Sequence, residues 1–169
     1  NAEGLLMLTR RQGHESKNPG NEETADNRRT RNNPQDNHSH NILAKGNIGN
    51  ENHRLEAAFE QFYRQNDTNL LNTLGSSSAQ RGPMLITTSQ TQADAHDSAR
   101  RQRLSLGYRY TGDGLLKEAE IGAYRQQLKA QDDAVNTESV AANGRVMQSG
   151  TRYSDYGFNQ TANGLHARA

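Results

Sequence analysis

The sequence predicts an all-β chain, with antiparallel up-and-down strands of the kind that wall a transmembrane β-barrel, about seven strands of a larger one. Three observations predict it. Apolar and polar residues alternate with period two, very short turns alternate with long polar connections, and apolar residues are too few for a buried core. Apolar residues make up 31% of the 169, and aromatics 5%, whereas a soluble domain carries roughly 45–50%. The mean hydropathy of −1.09 suits disorder, but disorder usually pairs low hydrophobicity with high net charge, and the net charge here is only +1. A barrel resolves the tension, because each strand needs one apolar face while lumen and loops stay polar.

The predicted strands cover 4–14, 37–49, 53–69, 95–111, 114–127 and 148–160, with a last one beginning near 164. In the second, Ile42, Ala44 and Ile48 oppose Leu43, Lys45 and Asn47. In the third, Leu55, Ala57, Phe59 and Tyr63 share one face, and Arg54, Glu56, Glu60 and Arg64 the other. In the fourth, Leu104, Leu106, Tyr108 and Tyr110 oppose Arg103, Ser105, Gly107 and Arg109. In the fifth, Ala119, Ile121 and Ala123 oppose Glu118, Glu120 and Gly122. The first, sixth and last alternate less regularly. A helix would want apolar residues at spacings of three and four, which 54–64 and 103–110 do not supply.

Short turns are expected at Gly49–Asn52, at Thr111–Gly114 and around 159–164, and long polar loops at 15–36, 70–94 and 128–147. Loops of that length are uncommon in compact soluble domains, but short turns on one side and long loops on the other are the habit of outer-membrane barrels. The turn after Tyr110 sets the fourth and fifth strands antiparallel, so Arg103 and Arg109 can meet Glu118 and Glu120 across the pair. That face suits a wet lumen as well as the outside of a soluble sandwich. Tyr108 and Tyr110 lie near a short turn and Tyr63 toward a long loop, where aromatic girdles sit, although tyrosine is common in any strand.

Other classes find little support. The chain has no cysteine, which removes disulfides and thiolate chemistry. No apolar run approaches the ~18 residues of a membrane helix. No nucleophile elbow, HExxH or phosphate-cradling loop is present, so no catalytic residue is assigned and an enzyme is not expected. Glu118 and Glu120 read as part of a charge ladder. The basic runs Arg28-Arg29-Thr30-Arg31 and Arg100-Arg101-Gln102-Arg103 invite a nucleic-acid reading. The first run has acidic neighbours Glu22, Glu23 and Asp26 and no aromatic platform, and the chain lacks a basic balance, so no nucleic acid is expected.

The histidines and loop arginines are the remaining candidates. His38 and His40 fall on one side of an extended segment at a loop–strand junction, and neutral imidazoles there are candidates to hold a metal or haem iron. Two such ligands without a nearby carboxylate or thiolate at suitable spacing define no metal site. His14 and His96, expected at loop ends, and Arg28, Arg29 and Arg31 are candidates to contact a bound protein. His53 at a short turn reads as structural, and His166 in the last strand carries no assignment.

Several stretches in order carry a resemblance: Thr9-Arg10-Arg11-Gln12-Gly13-His14-Glu15 with Asn18, Leu43-Ala44-Lys45-Gly46 leading to Asn52-His53-Arg54-Leu55, and Phe62-Tyr63-Arg64-Gln65-Asn66-Asp67-Thr68. Arg101-Gln102-Arg103-Leu104-Ser105-Leu106-Gly107-Tyr108 and Tyr156-Gly157-Phe158-Asn159-Gln160 with Gly164-Leu165 continue it. In these the chain resembles the barrel of TonB-dependent outer-membrane receptors, in particular the haem and haemoglobin receptor group. The resemblance implies a 22-stranded barrel with a plugged lumen, a bacterial outer-membrane location, and import of haem or iron taken from host haem proteins at extracellular loops. Haem would be cargo, not a covalently held cofactor, and outer-membrane lipid would surround the wall.

The family's plug, its TonB-contacting box, its ligand histidines and its FRAP-type and NPNL-type motifs have no counterpart here, so no ligand residue carries over. The chain opens on Asn1-Ala2-Glu3-Gly4, already strand-like and without a signal peptide. Residues 1–169 are therefore expected to be a partial barrel with no complete domain, and any contact with TonB would run through regions outside it. A siderophore or other metal-chelate receptor shares the same barrel. A soluble all-β binding module is the alternative from another class.

Overall fold

Alternating side chains are realised as extended backbone almost throughout the computed structural model, which describes residues 1–169. Seven strands run in order: β1 (Ala2–His14), β2 (Gln35–Gly49), β3 (His53–Asn69), β4 (Gly75–Arg81), β5 (Met84–Thr111), β6 (Glu118–Ala142) and β7 (Arg145–Arg168). A single 3₁₀ turn, Leu71–Thr73, precedes β4. All pairings are antiparallel in one open sheet ordered β1-β2-β3-β5-β6-β7, with β4 paired to the far half of β5. No helix is long and apolar enough to cross a membrane.

Register turns the alternation of single strands into continuous bands. Ala2, Ile48, Leu55, Tyr108, Ile121 and Ala167 are successive Cα partners across six strands. Gly4, Gly46, Ala57, Leu106, Ala123 and Leu165 form the next such row, and Leu6, Ala44, Phe59 and Leu104 begin a third. A one-residue slip in any pairing would send that strand's apolar set to the opposite face. The band nevertheless covers nothing: two of 169 residues are buried, Leu104 is 60% exposed and Leu165 86%. The sheet is held together by its backbone ladder, with 100 of 112 backbone hydrogen bonds inside regular structure.

Several expected boundaries change. The loop expected over 15–36 is present, between His14 and Gln35, and the tight turn between Gly49 and His53 is as expected. The loops expected over 70–94 and 128–147 are largely strand, since β5 begins at Met84 and β6 continues to Ala142. Polar residues occupy both faces there, which removes the period-two signal without removing the capacity to pair. The connection after Thr111 is longer than expected, because β6 starts at Glu118. The turn expected around 159–164 does not exist, and the two expected strands there are one, β7. Gly164, which suggested a turn, instead lies under the Tyr124 ring, where a Cβ would collide.

The true reversal is Asn143-Gly144, with φ of 50° and 80°. That pair of left-handed residues is what a type I′ hairpin requires. Gly82, with φ of 59°, opens the β4–β5 turn, a first central position that favours glycine in type II′ geometry.

Candidate functional site

Residues opposite the apolar band build one charged surface. A cavity of about 690 Å³ on that side touches Glu3 of β1, Glu56 of β3, Arg103 of β5, Glu120 of β6 and His166 of β7. The outermost strands of a flat six-strand sheet would stand about 24 Å apart, five spacings of roughly 4.8 Å. Sharing one cavity means that the sheet curls toward its charged face and leaves the apolar face convex.

Two clusters of charge on the concave face are paired. Arg54 Nη2 donates to Asn47 Oδ1 at 2.9 Å and lies 3.3 Å from Glu3 Oε2, while Arg54 Nε is 3.6 Å from Glu56 Oε1. Glu120 receives Arg109 Nη2 at 3.2 Å through one oxygen and faces His166 Nε2 at 3.3 Å through the other. The expected Arg109–Glu120 rung is therefore present. Arg103 takes no carboxylate and sits 4.8 Å over the Tyr124 ring, and Glu118 pairs in register with Thr111. Such exposed pairs contribute little stability each.

At the far end of the sheet, residues 15–34 fold into an ordered loop. Glu22 and Thr30 close it, with Thr30 N–H donating to Glu22 O at 3.2 Å and Glu22 N–H to Thr30 Oγ1 at 3.0 Å. The Asp26 carboxylate accepts from the Arg28 backbone N–H at 2.8 Å and from Arg28 Nη2 at 2.6 Å. The Arg28 side-chain hydrogen bond, then its backbone N–H, hold the Asp26 pKa down at about 2, and the same carboxylate raises the Arg28 guanidinium. Glu15 is lowered chiefly by the Gln35 backbone N–H. Arg29 donates to the carbonyls of Glu23 and Asn32 at 2.7 and 2.9 Å, and Arg31 pairs with Glu23. The three candidate loop arginines are thus brought together, and all three act as staples within the loop.

The loop leans on the β4 hairpin. Asn33 Nδ2 donates to Asn72 Oδ1 at 2.7 Å, and a polar cavity of about 430 Å³ opens between Asp26, Arg28, Ser77, Thr88, Gln90 and Glu138. A register shift between Gln90 and Gln92 exchanges the faces of β5 and brings Thr88 and Gln90 onto the side of Glu138. This cleft was missed in the sequence because it is built from segments read there as loop.

The histidines do not converge. His14 Nδ1 lies 2.5 Å from Asp36 Oδ1 at the end of β1. His96, expected at a loop end, stands inside β5 and pairs with Asp67. His38 and His40 share a face of β2, as expected, and both are exposed. The His40 ring lies tilted by 30° against the Tyr63 ring, 5.0 Å between centroids. No group of three or more His, Cys, Asp or Glu side chains is placed to hold a metal. His53 Nδ1 lies 2.7 Å from the Tyr108 hydroxyl, beside the turn.

No family model matches this chain, and no curated protein matches it. The sheet curls with its apolar face convex and bare and its charged face concave, and an ordered polar loop stands at one end.

Proposed function

We propose that this chain is a wall segment of an outer-membrane β-barrel receptor of the TonB-dependent kind, one that imports haem or haem-borne iron. The observation that supports it most is the register-aligned apolar band on the convex face, with no protein layer over it. Water is a poor solvent for that face and a bilayer interior is a good one. In hydrocarbon every backbone group must be paired, and a closed barrel satisfies that condition. The open edges of β1 and β7 would be joined to further strands. Every strand but β4 exceeds the 9–11 residues that a crossing needs, so the far halves of β5, β6 and β7, with β4, would stand outside the membrane as a platform.

Under this reading the concave ladder lines the lumen, and the loop at 15–34 with the β4 hairpin meets the incoming ligand or the host haem protein. The sequence resemblance to haem receptors supports the cargo assignment. Transport, not catalysis, is the role such a wall performs.

The absence of cysteine makes the test direct. Single cysteines at Leu104, Ser105, Leu106 and Gly107, in chain recovered from outer membranes, are probed with a water-soluble maleimide. Positions 105 and 107 should react and 104 and 106 should not; uniform labelling would sink the barrel reading. Cargo is tested separately by deleting the gene and growing cells with haemoglobin as the sole iron source. Unchanged growth there, with loss of growth on an iron–siderophore complex, would reassign the receptor to siderophores.

A further inference from the structure

β4 stands apart from the rest of the sheet. It pairs with β5 alone, in line beyond β3, whose other neighbour β2 ends its line at Pro34, where the Pro34 carbonyl takes the Asn69 N–H at 3.0 Å. Along the outer side of β4 no strand follows. The short turn Gly82-Pro83 makes Arg81 and Met84 a hydrogen-bonded pair, and bonded and unbonded pairs then alternate along the hairpin. Ser77 and Ala79 therefore turn their backbone N–H and C=O groups toward β5, while Ser76, Ser78 and Gln80 turn theirs away from it. The side chains agree. Ser76 Oγ lies 2.7 Å from Ser89 Oγ and Ser78 Oγ 2.8 Å from Thr87 Oγ1, the close approach of unbonded pairs.

The outward N–H and C=O groups of Ser76, Ser78 and Gln80 thus form a ladder without a partner. No hydrogen bond within the molecule reaches them: the serine hydroxyls are engaged with β5, and the Gln80 side chain donates to Gly82 O at 2.8 Å. All seven residues of β4 are exposed. The usual protection of an edge is missing too, since residues 75–80 carry no charge, proline or bulge. The two ends of the edge differ. At Gly75 an added Cβ would stand 3.4 Å from the Asp26 Cβ, so the loop closes that end, whereas at Gly82 it would meet nothing within 4 Å. The run from Ser76 to Arg81 is about 20 Å at roughly 3.3 Å per residue, enough for one short strand.

We infer that the outer edge of β4 is a docking site for an extended segment of an incoming protein, which adds to the sheet as an antiparallel strand. The inference rests on the reading above that places the β4 hairpin outside the membrane. Alternating donors and acceptors at the spacing of a pleated strand are matched in full by a second extended backbone, and antiparallel pairing is the more stable kind. Ser76, Ser77, Ser78 and Ala79 are small, which leaves room beside them for larger side chains of the partner. Arg81, the single charge of β4, favours an acidic residue opposite it. Access favours an incoming protein over a second copy of this chain. The edge points along the sheet toward the line of β2, with the polar cavity of about 430 Å³ and the 26–28 turn beside its closed end. Another copy standing in the same bilayer would meet the outer face of the wall and not this edge, while a segment entering past Gly82 meets no obstruction.

The test uses the chain as its gene encodes it, recovered from outer membranes in neutral detergent, and a blocked heptapeptide of aspartate followed by alternating threonine and valine. At saturating, millimolar peptide, hydrogen exchange at the Ser76, Ser78 and Gln80 amides should slow about tenfold, while the Ser77 and Ala79 amides, already bonded to β5, should change little. Ser78→Pro removes one outward N–H and none of the bonds to β5, and should weaken peptide binding about tenfold, the worth of one such hydrogen bond. The same peptide with the backbone amides of its pairing edge methylated should not bind, which tests the contact without a variant. Unslowed amides, or equal binding of the methylated peptide or by the Ser78→Pro chain, would overturn the site. A dimer of the unchanged chain that Ser78→Pro abolishes would give the edge to a second copy and overturn it as well. Failure of a membrane-impermeant maleimide to label Ser77→Cys on intact cells would instead overturn the outside placement of the hairpin, on which the site rests.

Discussion

Arg54 of β3 reaches over β2 to Glu3 of β1, with its Nη2 3.3 Å from the Glu3 carboxylate. Strands two apart are separated by about 9.6 Å, so the contact needs both a long side chain and a surface that curls toward it. It therefore reports the concavity of the charged face locally, as the shared cavity does globally. Both groups are exposed, at 45% and 71%, which limits its energy. A double-mutant cycle with Glu3→Gln and Arg54→Gln should give a coupling of about 0.2–1 kcal/mol by urea unfolding in lipid vesicles. The coupling should shrink at about 1 M salt, where the screening length falls to about 3 Å.

Neighbouring residues on β5 should respond oppositely to charge. Leu106 belongs to the convex apolar band and Ser105 to the concave charged face. Under the proposed barrel reading, Leu106→Arg should lower folding stability in a bilayer by about 2–4 kcal/mol, the cost of a cation near a membrane midplane, and Ser105→Arg should cost little. The same urea titration in vesicles measures both, and a reversed order would mean that the faces are exchanged.

Asn143 supports the β6–β7 hairpin and the start of β5 together. Its side-chain Oδ1 accepts the Leu85 N–H at 2.8 Å, its own N–H donates to Leu85 O at 2.9 Å, and its φ is 50°. Asn143→Ala removes one acceptor worth about 1 kcal/mol and places an unsuited residue in the left-handed region, for about another 1 kcal/mol. Hydrogen exchange at the Leu85 amide should accelerate at least tenfold, while amides in the apolar band keep their protection.

The loop at 15–34 should keep its shape in acid. Its Asp26 carboxylate is held down from 3.8 to about 2, first by the Arg28 side chain. Because the folded value lies below the ordinary one, the stabilisation is complete above pH 3.8 and is lost only as the pH falls through about 2. Carboxyl-carbon NMR should place the Asp26 midpoint near 2, and the Arg28 amide shift should move with it. An Asp26→Asn variant should show the altered Arg28 amide at neutral pH.

The strand pattern was most readable where one face is apolar. Leu55, Ala57 and Phe59, and Leu104, Leu106 and Tyr108, disclose period two because their alternate positions are charged or small. Beyond the band, residues such as Gln131, Asp132 and Asp133 are polar on both faces, so a paired strand and a solvated loop look alike. The Asn143-Gly144 dipeptide was the available signal for the hairpin, and Gly164 was a misleading one, since its purpose is room for Tyr124. Of the candidate side chains, the shared face of His38 and His40 followed from spacing alone. The His96–Asp67 pair depends on a register that only pairing supplies.

By itself the sequence determined that the chain is all-β, that its strands are amphipathic over the band, and that it cannot build a core, because composition and period are local properties. Tertiary structure alone decided which rows align, that the charged face is the concave one, and that Arg10, Arg100 and Lys129 share a row although far apart in the chain. Those facts depend on register and curvature, which arise from backbone pairing between distant segments, and no local alternation encodes them.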